Sequence, residues 1–411
     1  MNVSSFSLAK LIAAFTILFA FIVVIIGSIS VSMNNEDRVA MGVQSDGVTL
    51  AGMSRQEVHR YFEKTAQQKL KQTAIVLTFK DRSWNIRPED IALHANVDQA
   101  ADEAYRTGRE NGFFLNLITQ MRCALTGRSI RLTGAYDEDL LNSRLIQIQK
   151  DIERQPVNAS ARLLPDGRIK KIPAVIGLNL DIQPVADTLR SQLEGLARTV
   201  SVHLEPEEQL PFVRDEDLAD IDTVLGAYTT RFQPGDRGDN IGIAASHLQG
   251  VLIRSQAELS FNRIVGRRTR SAGYKDAGVI VDGEPAVDVG GGVCQVSSTL
   301  YNAILLAGMT PTERSSHSLP SHYVPAGRDA TVADDLLDFS FRNPLPHPVY
   351  LRIANTGSAL TIYVLGTRSD LNGRSISLLT DGPAGRPSLY RLWKQNGQIV
   401  EREYLHTDNY S

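Results

Sequence analysis

The first long feature of the chain is an unbroken apolar run. No charge occurs between Lys10 and Glu36, and Leu11 to Ile29 is almost wholly aliphatic and aromatic. A helix needs roughly 20 apolar residues to cross a bilayer, so the pattern predicts a single-pass signal anchor over residues 1–32. A cleaved signal peptide would show a shorter apolar core and an Ala-x-Ala-like site, and Ser28-x-Ser30 is a weak match to one. The short segment carrying Lys10 stays on the cytoplasmic side. The bulk of the chain is then extracytoplasmic, beyond a polar linker at 33–47.

Downstream, the periodicity alternates between helix and strand. Ser54 followed by Glu57 is a capping box that opens a helix through Phe62. Ala74–Phe79 is a β-branched and aromatic run that reads as a strand. Asp137-Glu138-Asp139 opens a second helix to about Ile152, and Val157–Leu163 alternates as a strand before a turn at Gly167. Phe113–Cys123 has helical spacing. Within this region Ile91–Asp102 aligns with Ile176–Asp187, with identities at Ile, Leu, Ala and Asp. A match at one such spacing indicates duplication rather than a solenoid. Two α+β repeats are therefore expected, at 48–135 and 136–215, with a short connector around Leu210–Val213.

A further mixed domain is expected over 221–366, followed by a β-hairpin tail at 367–411. There Asn396-Gly397 separates two strand runs, a strong hairpin signal. The fold class is α+β: one N-terminal transmembrane helix, two α+β repeats, a mixed α+β domain and a β-rich tail.

Composition narrows the function. Hydrophobic residues make up 42% and charged residues 22% of the 411, an ordinary globular balance, and the net charge of -3 supplies no field to recruit nucleic acid. Two cysteines, Cys123 and Cys294, cannot make a disulfide-stapled scaffold, although one bridge outside the cytoplasm is an open alternative. No Cys-x-x-Cys or His-x-x-x-His pair is present, so no metal or other cofactor is expected.

The densest chemistry lies at Val289-Gly-Gly-Gly-Val-Cys294-Gln-Val-Ser-Ser-Thr-Leu-Tyr-Asn-Ala303. Three glycines enter a helix with apolar positions at Val296, Leu300, Ala303, Ile304 and Ala307, which Gly308 ends. Cys294 falls in its first turn, where unpaired amides and the dipole favour a thiolate. His317, His322, Asp329 and Asp338 follow. The order cysteine, histidine, aspartate suits a nucleophile, a base and an orienting carboxylate.

At these residues the chain resembles the VanW family. The resemblance is carried by Tyr228–Phe232, Asn240-Ile241, Phe261-Asn262, Val265–Thr269, Gly273-Tyr274, Gly290–Ala303, His317-Ser318 and Asp329–Val332. It spans roughly residues 228–366, and the Pro-Gly pair that the family leads one to expect near Ser255-Gln256 is absent. The duplicated region before it is similar to the peptidoglycan-binding domain that often precedes VanW domains. The resemblance implies an envelope protein with peptidoglycan as partner.

The candidate catalytic residues are Cys294, His317 and Asp329. His322 is an alternative base or a substrate contact, and Asp338 an alternative orienter. Gln295 or backbone amides of the helix start would stabilise an oxyanion. Arg267, Arg268 and Arg270 form a basic cluster, read either as a solvated turn or as a clamp for the carboxylate that ends a stem peptide. Ser297, Ser298 and Thr299 read as hydrogen bonders, and Trp84 and Trp393 as core rather than sugar platforms. Three functions stay open: a cysteine-dependent peptidase, amidase or acyl transferase, a binding module, and an envelope scaffold.

Overall fold

A computed structural model describes residues 10, 12–23, 26–27, 37–281 and 284–410. The expected anchor lies partly outside these residues. Residues 12–23 are helical with outward apolar side chains, Phe15 and Ile17 each being 71% exposed. No helix among the described residues is long and apolar enough to cross a membrane.

The chain divides into two compact units, one of residues 1–154 and 178–208, the other of residues 155–177 and 209–411. In the first, the capping box forms as the sequence predicts: Ser54 accepts from the Glu57 amide at the head of the helix Arg55–Gln72. The strand Ala74–Phe79 lies in a three-stranded sheet, parallel to Thr199–His203 and antiparallel to Arg82–Ile86. Both aligned segments run from a strand into a helix, Val97–Arg106 in one and Gln183–Glu194 in the other. Matching positions are buried in both: Leu93 and Leu178, Ala100 and Val185, Ala101 and Ala186. All six belong to one core that runs from Val39 to Leu204.

The second unit is built on a four-stranded antiparallel sheet. Its order is Thr223–Arg231, Ala359–Gly366, Val349–Asn355, Leu252–Ile253. The helix Val293–Leu306 lies against the first of these strands, and Gly226 is what lets it approach. A Cβ there would stand 2.5 Å from the Ala307 nitrogen and 2.6 Å from the Ala303 carbonyl oxygen. Val296, Leu300, Ala303, Ile304 and Ala307 are all fully buried in the core. Gly308 ends this helix at φ +80°.

The Asn396-Gly397 turn joins Ser388–Gln395 to Gln398–Thr407, both turn residues having positive φ as a type I′ hairpin requires. Near Ser255 the turn closes without Pro-Gly. The Ala257 amide donates to the Arg254 carbonyl, and Gln256 takes the left-handed position at φ +61° that a glycine would fill at no cost.

Candidate active site

Cys294 is the second residue of its helix, behind the left-handed cap Gly292. The residue is partly exposed, and its sulfur donates to the Val332 carbonyl at 3.4 Å. Among the described residues the Cys294 amide has no hydrogen-bond acceptor, as expected for the first turn of a helix.

The polar side of this helix is as buried as the apolar side, because it fastens a second segment. Ser298 Oγ receives the Ala330 amide at 2.9 Å, and Ser297 Oγ donates to the Ala330 carbonyl at 2.6 Å. Asn302 Nδ2 donates to the Arg328 carbonyl at 2.7 Å. Thr299 meets Thr230 at 2.8 Å. These bonds hold residues 328–330 along the helix and thereby fix Asp329. Ser297, Ser298 and Thr299 are thus structural hydrogen bonders.

Asp329 is only 1% exposed, and every bond it makes is to a donor. One oxygen accepts from the His317 amide at 2.7 Å and from His317 Nδ1 at 2.6 Å. The other accepts from the Tyr410 hydroxyl at 2.5 Å and from Arg314 at 3.1 Å. Arg314 is itself bidentate to Asp408, at 2.5 and 2.8 Å. Burial raises the Asp329 carboxyl, but the bonds from His317 and Tyr410 and the charge of Arg314 outweigh it and hold the group below the ordinary carboxylate range.

With Nδ1 taken by Asp329, Nε2 of His317 is the nitrogen left for the sulfur. Burial pulls the imidazole down, but bonds to Asp329 and Cys294 raise it to about 9. Burial pushes the Cys294 thiol up, while the bond and charge of His317, the Val332 backbone and Arg268 bring it below its ordinary value. Both shifts run in the direction that moves the thiol proton toward the imidazole, as activation of a thiol nucleophile requires. Tyr323 completes the cluster, its hydroxyl 3.5 Å from His317 Nε2 and its ring edge-on to the imidazole.

The other sequence candidates fall as follows. His322 is exposed and edge-on to Tyr323 at 5.5 Å between centroids. Asp338 binds the Ser260 hydroxyl and, at 2.9 Å, the Asn262 amide. Gln295 is 1% exposed and commits both amide hydrogens, to Thr230 at 3.1 Å and to the Arg231 carbonyl at 2.9 Å. An oxyanion role for Gln295 would require those bonds to break, whereas the Cys294 amide is uncommitted. Arg267 is paired with Asp335, Arg268 with Asp334 and Asn262, and Arg270 with Asp276. Trp84 donates to Asp151 and Trp393 to Glu403.

Neither cysteine is in a disulfide. Among the described residues no cluster of three or more His, Cys, Asp or Glu is placed to hold a metal. A cavity of about 670 Å³ is lined by Arg314, His406 and Asp408 but not by Cys294 or His317, so a ligand in it would meet the base of the relay rather than the thiol.

Two family descriptions match the chain. The family described as "VanW like protein" matches residues 236–365. The family described as "Putative peptidoglycan binding domain" matches residues 84–201. The chain is 35% identical over 233 residues to the "Uncharacterized protein YoaR" of Bacillus subtilis, covering 56% of this chain and 75% of that protein. It is 30% identical over 145 residues to the "Vancomycin B-type resistance protein VanW" of Enterococcus faecalis, covering 33% of this chain and 51% of that one. No solved structure matches the chain significantly.

Proposed function

This cell-wall-associated chain belongs to the VanW family, and from that premise we propose that it is an extracytoplasmic, membrane-anchored protein that binds peptidoglycan and acts on its peptide part through Cys294. The observation that carries the catalytic part is the 2.6 Å bond between His317 Nδ1 and the buried Asp329, on an imidazole whose bond and charge lower the thiol of the partly exposed Cys294. The Cys294 thiolate attacks an amide carbonyl. His317, already protonated, gives its proton to the departing amine. Water, or an acceptor amine, then resolves the thioester with His317 as base. Asp329 keeps the ring oriented and stabilises its charge, and the uncommitted Cys294 amide faces the developing oxyanion.

The duplicated region, 48–135 and 136–215, is assigned wall contact, and the apolar run from Leu11 to Ile29 the anchor. Supporting the anchor are the outward apolar side chains of residues 12–23 and the absence of charge from Leu11 to Asn35. Carbonate-washed membranes should retain the full chain and release a chain lacking residues 2–30.

The catalytic proposal is tested by incubating the full chain with soluble stem-peptide fragments and analysing it by mass spectrometry after acid quench. An acyl adduct confined to Cys294, and lost in Cys294→Ala, is the expected result. Retained binding with no adduct at any substrate concentration would leave a binding module.

A further inference from the structure

The arginines sequence reasoning singles out as a carboxylate clamp already hold carboxylates of the chain. Arg237 does not. It is the second residue of the helix Asp236–Leu248, and its Nη1 donates at 2.7 Å to Gln295 Oε1, a neutral amide. The acidic residues beside it, Asp236 and Asp239, are both taken by Lys275, at 3.0 and 2.7 Å. Its remaining guanidinium hydrogens bond no carboxylate among the described residues. A partly buried cation without a carboxylate partner is costly, which points to a ligand.

The position is fixed from three sides. Gln295 is anchored by Thr230 and Arg231, so its oxygen presents Arg237 in one pose. The Arg237 guanidinium lies 5.8 Å from the centre of the Tyr323 ring, whose hydroxyl is 3.5 Å from His317 Nε2. Gly292, the cap of the Cys294 helix, has no side chain because Arg237 is there. A Cβ would meet the Arg237 carbonyl oxygen at 2.9 Å and its Cγ at 3.0 Å. The guanidinium, with one hydrogen committed to Gln295, therefore stands at the mouth of the helix that carries the thiol, against the Tyr323 ring whose hydroxyl reaches the imidazole.

We propose that Arg237 is the carboxylate-recognising residue beside Cys294, and that the amide acted on by Cys294 is the one preceding a free C-terminal carboxylate. The substrate class is then a peptide with an unblocked C-terminus. The leaving group is its terminal amino acid, which departs with the proton from His317 as the C–N bond breaks and the thioester forms. This rests on the proposed role of Cys294. Arginine suits the task because its planar fork engages both carboxylate oxygens.

Alkylation of Cys294 in the full chain tests the assignment without needing turnover. Iodoacetate carries a carboxylate and iodoacetamide does not. The ratio of their rates cancels any change in thiol acidity. Arg237→Met should lower the iodoacetate-to-iodoacetamide ratio about tenfold, the effect of losing one charge-assisted hydrogen bond. Arg402→Met, which removes an arginine paired with Asp381 in the tail sheet, should leave the ratio unchanged.

On the wild-type chain, alanyl-alanine should protect Cys294 from iodoacetamide while its C-terminal amide does not, a result independent of whether the variant folds. A reactive Cys294 with an unchanged ratio, or equal protection by acid and amide, overturns this inference and leaves the proposed nucleophile standing. A Cys294 inert to iodoacetamide overturns both.

Discussion

The two cysteines of the chain lie on two helices of equal length, Phe113–Thr126 and Val293–Leu306, each of 14 residues. Cys123 is in the last turn of the first. It is 5% exposed, and its carbonyl accepts the Gly127 amide at 2.8 Å. The backbone at Gly42 comes so near that a Cβ there would stand 1.9 Å from the Cys123 carbonyl oxygen. Cys294 is in the first turn of the second helix, partly exposed, with an imidazole on its sulfur. The negative end of a helix opposes a thiolate and the positive end favours one. The same side chain is thus a small core hydrophobe in one place and a thiol drawn toward its anion in the other. Residue type does not decide between them. Position along the helix does, together with what the opposite segment brings up.

Selective alkylation separates the two cysteines most strongly. Native full-length chain treated briefly with iodoacetamide at pH 7 should label only at Cys294, and Cys294→Ala should abolish incorporation as read by intact mass. Cys123→Ala should change nothing. Equal labelling of both cysteines would show that helix position confers no reactivity here.

Next in size is Asp329→Asn. The carboxylate is the anion for His317, Arg314 and Tyr410 at once. Removing one partner from a buried charged network costs about 3–5 kcal/mol. Denaturant unfolding should show a loss of that order in the transition of the C-terminal unit, and the variant's alkaline limit of turnover should fall below that of the wild type. A loss under about 1 kcal/mol would mean that the relay is not the keystone its geometry suggests.

The pH dependence sharpens the contrast further. His317 has its folded value raised from 6.5 to about 9. Its contribution to stability is therefore complete below 6.5 and is lost as the pH rises through about 9. Turnover, which needs the imidazolium as acid, should fall over the same upper range. Alkylation, which needs only the thiolate, should persist. At the acid end both should fall together through the depressed value of Cys294. The two limits belong to the coupled pair rather than to either residue alone. Parallel loss of alkylation and turnover at high pH would argue against an imidazolium donor.

What the sequence discloses, and what it hides, follows from the range of the interactions. Ser54 with Glu57, Asn396 with Gly397, and the apolar stripe Val296, Leu300, Ala303, Ile304 are local patterns, and each forms the expected element. Cys294, His317 and Asp329 could be named because they lie within one stretch of the chain in the order that such chemistry uses. The residues that complete the cluster could not. Tyr410 is 81 positions from Asp329, and Arg314 reaches Asp408 across 94. Arg237 stands in a polar helix start with no motif to mark it, while the conspicuous run Arg267, Arg268, Arg270 proves to be paired. The buried polar face of the Cys294 helix was legible as hydrogen-bonding residues but not as the clamp on residues 328–330, since no local pattern names a partner on another segment.

The smallest expected effect concerns the quieter cysteine. Cys123→Ala removes one buried sulfur from the last turn of the helix Phe113–Thr126. The helix gains slightly, because alanine has the better propensity. The lost contact costs about 1 kcal/mol, in keeping with roughly 0.8 kcal/mol for a buried methylene and a small cavity. The net change in the unfolding free energy of the N-terminal unit should be a destabilisation of under about 1 kcal/mol, with the alkylation rate of Cys294 unaltered. Gly42→Ala, by contrast, keeps Cys123 intact but drives a methyl into its carbonyl at a backbone φ of +82°, and should destabilise the same unit by more. If instead Cys123→Ala costs more than Gly42→Ala, the sulfur rather than the backbone approach anchors that helix, and the description of Cys123 as a passive core residue fails.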